Sequence, residues 1–195
     1  LEALAELEAE TGKKVYTILQ LRLHPTIIKL RERIQQGPAD KVYDVELKYI
    51  TSRGHWYQSS WKGDNSKSGG IATNIGIHFF DMLIWIFGPV KNVEVSELKK
   101  DYGSGILELD KARVRWELSI NYDHLPAEVK ASGKRMYRSL TLEQEEIEFS
   151  EGFGDLHTKS YSEILKGNGF GLKEAKPSID LVHEIRNKAP FRGNP

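Results

Sequence analysis

A chain of 195 residues, 39% hydrophobic and 29% charged, is long enough to bury the core of one full domain. Its 28 basic residues balance 28 acidic ones, so no global charge marks a nucleic-acid binder, and no apolar run is long and uninterrupted enough for a membrane span. The absence of cysteine excludes disulfides, thiolate metal sites and a cysteine nucleophile, and suits a reducing cytoplasm without requiring one.

The first segment, LEALAELEAETG, puts Leu1, Leu4 and Leu7 on one helical stripe and a stop at Gly12. It has neither an initiator Met nor a signal-peptide layout, and it opens in mid-helix without a cap, which leads us to expect further chain upstream. KKVYTILQLRL (13–23) is rich in β-formers and predicts a buried strand of about six residues. HPTIIKLRERIQQG (24–37) predicts a helix, with Pro25 at its first position, Gly37 at its end, and Ile27, Ile28, Leu30 and Ile34 on its apolar face.

From Lys41 the period becomes two. In KVYDVELKYIT, Val45, Leu47 and Tyr49 alternate with Asp44, Glu46 and Lys48, which predicts a strand with one wet face. KARVRWELSINYD repeats the pattern with Val114, Trp116, Leu118 and Ile120. VKNVEVSEL, GSGILEL, RMYRSLTL and EEIEFSEG add further strands, with turns at Asp110–Lys111 and Glu143–Glu145. Short links between consecutive strands favour antiparallel pairing. KSYSEILKG then predicts a short helix stopped by Gly167, and SIDLVHEIRNK a helix following Pro177. The fold class is α+β: an open antiparallel (mixed) sheet with helices on one face.

Chemistry concentrates in three places. The greasiest segment, SGGIATNIGIHFFDMLIWIFG (68–88), carries Asn74, His78 and Asp81 at helical spacings that put them on one face. Unpaired polar groups buried there would cost about 1–3 kcal/mol each. His78 reads as a satisfied core histidine, as a metal ligand beside Asp81, or as a general acid or base, since its ordinary pKa lies near neutrality. The long stretch 52–70 offers His55, Trp56, Tyr57, Trp61 and Lys62, suited to stacking on a ring and meeting an anion, or else to pinning a surface loop. Gln20 and Arg22 fall where the first predicted strand ends, and His157 lies before the penultimate helix; all three are candidate ligand contacts. Lys134, Arg135 and Arg138 with Tyr137 read as a solvated strand face. GNGFG (167–171) follows a helix and is not G-x-G-x-x-G, so it reads as a cap and turn.

SGGIATNIGIHFFDML resembles the third motif of the Gfo/Idh/MocA oxidoreductases (glucose–fructose oxidoreductase, inositol dehydrogenase and relatives), G-G-x-x-x-[D/N]-x-G-x-H-x-x-D. Gly69, Gly70, Asn74, Gly76, His78 and Asp81 stand in its positions. YTILQLRLHPTI, VELKYITSRGHWY, ARVRWELSINYDHLP and the final segments resemble one branch in particular. That branch is the bacterial and archaeal dehydrogenases that oxidise C3 of UDP-N-acetylglucosaminuronate towards the diacetamido-uronic acids of surface polysaccharides.

The resemblance implies that residues 1–22 are the remnant of a dinucleotide-binding domain and 23–195 a substrate-binding and oligomerisation domain. It implies a cytoplasmic NAD-dependent enzyme whose cofactor is held mainly by that other domain, so that this chain alone is inactive. His78 would be the base, Asn74 would bond the sugar or orient the catalytic groups, and Asp81 would be structural. Gln20, Arg22, Trp56, Lys62 and His157 become substrate contacts, the vicinity of Gly69 and Gly70 meets the cofactor, and no metal is involved. The partners expected are a nucleotide sugar and further copies of the chain, as a dimer or tetramer through the sheet face, with no nucleic acid and no membrane. Another sugar or polyol dehydrogenase of the family, or a non-catalytic sugar-binding or assembly module, stays open.

Overall fold

The alternating segments form one six-stranded sheet. A computed structural model describes residues 1–147, 149 and 153–188. Its strands are β1 (Tyr43–Thr51), β2 (Val90–Leu98), β3 (Tyr102–Leu109), β4 (Ala112–Ser119), β5 (Met136–Leu142) and the two-residue β6 (Glu145–Glu146). They lie in the order β2-β3-β4-β1-β5-β6. All pairs are antiparallel except β1 and β4, which run parallel at the centre from Tyr43↔Ala112 to Ile50↔Ser119. The long segment between them supplies the crossover that a parallel pair requires. Of the strand expected over EEIEFSEG, Glu145–Glu146 pair with β5 directly after the turn at Glu143 and Gln144, both with left-handed φ; residues 148 and 150–152 lie outside the described residues.

One face of the sheet is apolar throughout. Val45, Leu47 and Tyr49 of β1, Leu107 of β3, Val114, Trp116 and Leu118 of β4, and Leu140 and Leu142 of β5 are all buried. The helices cover that face. α1 (Glu2–Thr11) buries none of its residues and leaves Leu1, Leu4 and Leu7 exposed. α2 (Pro25–Gln36) begins at its proline and buries Ile27, Leu30 and Ile34. Short helices α3 (His55–Ser59) and α4 (Asn65–Ser68) precede α5 (Ile77–Phe87), and α6 (Ala127–Ala131) links β4 to β5. α7 (Leu156–Leu165) and α8 (Leu172–Asn187) complete the chain. α5 packs against α2 and α8, and its Phe80 stands edge-on to Trp116 with ring centroids 5.4 Å apart. Among the described residues, no helix is long and apolar enough to cross a membrane.

Two expectations are corrected. Residues 13–23 do not form a strand: Thr17 makes a single bridge to Phe170, and the chain then enters a 3₁₀ turn at Gln20–Leu23. β-forming side chains there find no neighbouring ladder, and Leu19 and Leu21 are buried as core residues instead. The last helix starts ahead of Pro177, not after it. The Gly171 N–H donates to the Glu174 carboxylate at 2.9 Å, which fixes the start of α8. Pro177 then frees only the carbonyl of exposed Lys173, which water can satisfy.

Candidate active site

The segment that carries Asn74 and His78 is not one regular helix. The Asp64 carboxylate accepts from the Ser66 N–H and starts α4, which stops at Gly69. Gly69 and Gly70 take φ of 78° and 73°, a region that a side chain disfavours, so the chain can turn sharply into the next helix. Ala72–Gly76 is a π turn, and α5 continues from it. Gly76 lets this turn lie close on β4: a Cβ there would fall 2.7 Å from Leu118 Cδ1 and 2.8 Å from Phe80 Cε2. Single π turns inside helices recur at functional sites.

From this helix Asn74 and His78 face a cavity of about 290 Å³. Its walls also include Gln20 after the first turn of the chain, Tyr49 and Arg53 at the end of β1, Arg138 of β5, and Phe153 and His157 before and on α7. Burial holds the half-buried His78 imidazole below the usual histidine range; Asp81 draws it back up and His157 lowers it further. Among the described residues, no side chain or carbonyl is hydrogen-bonded to its ring. A satisfied core histidine is therefore not what the geometry presents. Asn74 is fixed from two sides. Its Nδ2 donates to the Lys62 carbonyl at 3.2 Å, and its side chain bonds the hydroxyl of buried Tyr57. Burial raises the Tyr57 pKa, against the charge of Arg53 and the bond to Asn74.

Two of the three described buried side-chain atoms that lack a hydrogen-bond partner line this cavity: Gln20 Oε1 and Arg138 Nε. Polar atoms left this way in a native fold call for an explanation, and a bound ligand is one. A larger cavity, about 700 Å³, lies between the end of α5, the start of β2 and α8. Among the described residues its walls hold no histidine.

Of the residues singled out in the sequence, Gln20, Asn74, His78 and His157 come together here. Arg22 does not. Its Nε and Nη2 donate to Asp81 Oδ2 and Oδ1 at 2.9 and 2.7 Å, and Nη2 also meets the Glu174 carbonyl at 3.0 Å. The pair is buried, with the guanidinium over Phe170. Both Asp81 oxygens are thereby engaged, and among the described residues no group of three His, Asp or Glu side chains could hold a metal ion. Trp56 and Lys62 are exposed and outside the cavity, although the Lys62 backbone holds Asn74; the side chain of His55 lies outside the described residues. Gly69 and Gly70 border a separate small cavity with Arg186.

Sequence reasoning missed Arg53 and Arg138. The signal was parity. Arg138 shares its face with Leu140 and Leu142 and so follows the buried face instead of the wet one, whereas Arg53 lies exposed just past the end of β1 and carried no such signal.

Residues 31–128 match the model of the oxidoreductase family, C-terminal alpha/beta domain. The chain is 50% identical to the WlbA (WbpB) dehydrogenase from Thermus thermophilus solved with NAD and alpha-ketoglutarate, with a TM-score of 0.94 over 100% of this chain and 62% of that one. The same dehydrogenase with NAD and UDP-GlcNAcA gives 49% identity and a TM-score of 0.93 over the same shares. The WlbA dehydrogenase from Bordetella pertussis, with NADH and UDP-GlcNAcA, shares the fold at 19% identity, with a TM-score of 0.70 over 94% of this chain and 64% of its own. YteT of Bacillus subtilis is 31% identical over 85 residues, 43% of this chain and 20% of its own length. The chain thus spans less than two thirds of the length of these relatives.

Proposed function

Because the chain belongs to the Gfo/Idh/MocA oxidoreductase family, we propose that it forms the catalytic and substrate-binding part of an NAD-dependent dehydrogenase that oxidises C3 of a nucleotide-linked N-acetylhexosaminuronic acid. The observation that carries the proposal is His78: a half-buried imidazole with a depressed pKa and no hydrogen-bond partner among the described residues, facing a cavity with Asn74 beside it. Half identity to a dehydrogenase crystallised with NAD and UDP-GlcNAcA supports the choice of substrate.

In this reading His78 takes the proton of the C3 hydroxyl as the C3–H bond breaks, and the carbinol becomes a ketone. Asn74, held by the Lys62 carbonyl and Tyr57, orients the sugar. Gln20 Oε1 accepts a hydrogen bond from a sugar hydroxyl, which completes an otherwise unpartnered buried atom. Leu21, Ile75, Phe79 and Phe153 form an apolar part of the wall beside the polar Gln20, Asn74, His78, Arg138 and His157. A base of lowered pKa suits a nicotinamide neighbour, and NAD when bound supplies the hydride acceptor. We assign its binding mainly to a dinucleotide-binding domain of the whole protein, with residues 23–195 as the substrate domain. We further read the enzyme as cytoplasmic and as serving surface-polysaccharide biosynthesis. The complete enzyme given NAD and UDP-GlcNAcA is expected to form NADH and a 3-keto sugar in equal amounts, and deuterium at C3 should appear in the NADH. Deuterium retained in the sugar, or oxidation of neutral polyols alone, would reject the reading.

The sheet's open face supports a homo-oligomer. There Asp44, Glu46 and Lys48 of β1 face Arg113, Arg115 and Glu117 of β4 with opposite sign across the register, and Arg115 pairs with Asp44 through two contacts of 3.1 and 3.2 Å. A face of mixed charge without an apolar patch suits a self-complementary pairing across a two-fold. Arg115→Glu places like charges beside Asp44 and across that axis, and is expected to weaken association about tenfold or more. Light scattering across a dilution series measures this; unchanged mass in the variant, or a monomeric parent at tens of micromolar, speaks against the assembly.

A further inference from the structure

We infer that Arg138, seconded by Arg53, is the group by which the cavity selects an acidic sugar, its guanidinium pairing with the carboxylate at C6 of the ring. The inference rests on the reading that the cavity takes a nucleotide-linked hexosaminuronate, and it names the residue that recognises the acid.

Arg138 sits directly across from Tyr49 in the β1–β5 ladder, on the face that the helices cover. Its guanidinium lies 3.9 Å from the Phe153 ring centroid and 5.5 Å from that of Tyr49, so its plane is held before any ligand arrives. Such stacking leaves the N–H fork available and lowers the rotamer entropy lost on pairing. Nε is buried without a hydrogen-bond partner. Among the described residues no Asp or Glu lines the cavity, and the acid on the adjacent helix, Asp81, has both oxygens committed to Arg22. The described walls therefore hold a half-buried Arg138 and, at the exposed rim, Arg53, with no acid between them. A neutral hexose brings hydroxyls but leaves the Arg138 cation uncompensated; a carboxylate satisfies charge and fork together. The other anion of such a substrate, the diphosphate, is common to acidic and neutral nucleotide sugars, so the two sources can be separated.

The test uses the complete enzyme with NAD, and compares binding and turnover of UDP-N-acetylglucosaminuronate with those of its neutral counterpart, UDP-N-acetylglucosamine. In the parent the acid should be preferred. Arg138→Gln should weaken calorimetric binding and kcat/KM for the acid by about 10–100-fold and leave the neutral sugar nearly unchanged, so the preference collapses. Arg138→Lys, which keeps the cation and loses the fork, should fall between, and it carries the test if Arg138→Gln does not fold. Equal losses for both sugars would assign Arg138 to the diphosphate or to structure, and an undiminished preference would remove it from recognition; either result overturns the inference while the functional reading stands. A parent that binds neither sugar, or favours the neutral one, overturns both.

Discussion

His78→Asn is expected to slow the chemical step of the complete enzyme by about 10²–10⁴-fold, the usual share of a general base. Substrate binding should change little, because Asn fills similar space and the sugar's other contacts remain. The pH profile gives the sharper reading. A base must be unprotonated to act, and burial holds the His78 pKa below the ordinary histidine range. Activity of the parent should therefore persist as the pH drops through the usual histidine titration, and decline only further into acid. In His78→Asn that acid limb should vanish from the residual rate. Parent-like turnover in the variant would return His78 to the packing role that its apolar surroundings also allow.

Asp81→Asn should cost about 3–5 kcal/mol of stability, the penalty of leaving a buried charge without its partner. The change keeps the side chain's shape and removes only its charge, while Arg22 stays buried beneath Phe170 and beside α5. Replacing both partners with apolar residues, Arg22→Met with Asp81→Leu, should recover most of that loss, since a buried pair is often no better than a well-packed apolar one. Urea unfolding of Arg22→Met, Asp81→Leu and the double variant closes the cycle, with Asp81→Asn measured beside them. Additive losses would show that each side chain contributes through packing and not through the pair. The pair also reaches the chemistry: Asp81 raises the His78 pKa, so Asp81→Asn should shift the acid limb to still lower pH.

Much of this was legible in the sequence because it depends on local periodicity. α2 carries its own start and stop in Pro25 and Gly37, and β1 and β4 declare their buried faces through every second residue. His78 and Asn74 stood out because polar side chains were set in an apolar run. What was not legible depends on partners distant in the chain. The β-formers of residues 13–23 looked like a strand, and only the absence of a neighbouring ladder makes them a turn. Arg22 looked like a ligand contact because nothing local reveals that Asp81 meets it from α5. Arg138 looked solvated among Lys134, Arg135 and Tyr137, although its parity with Leu140 and Leu142 pointed inward. The π turn left no periodic trace. An extra residue rotates the following face by about 100°, but in a segment apolar on nearly every side no stripe is there to show the break.

The parallel pairing at the centre of the sheet also fixes the moment in the life of the chain at which a site first exists. The meander of β2, β3 and β4 closes over short links, so it can form as soon as residues 90–119 have been made. β1 is synthesised earlier, yet its two neighbours lie roughly 70 and 90 residues downstream, and each closure loses chain entropy before its contacts repay it. Until both are made, Arg138 has no Tyr49 beside it and His157 has nothing to face. A ribosome-bound chain that has already produced His78 thus carries the base with no pocket around it. The apolar face of its unfinished sheet remains open to other chains until the last wall arrives.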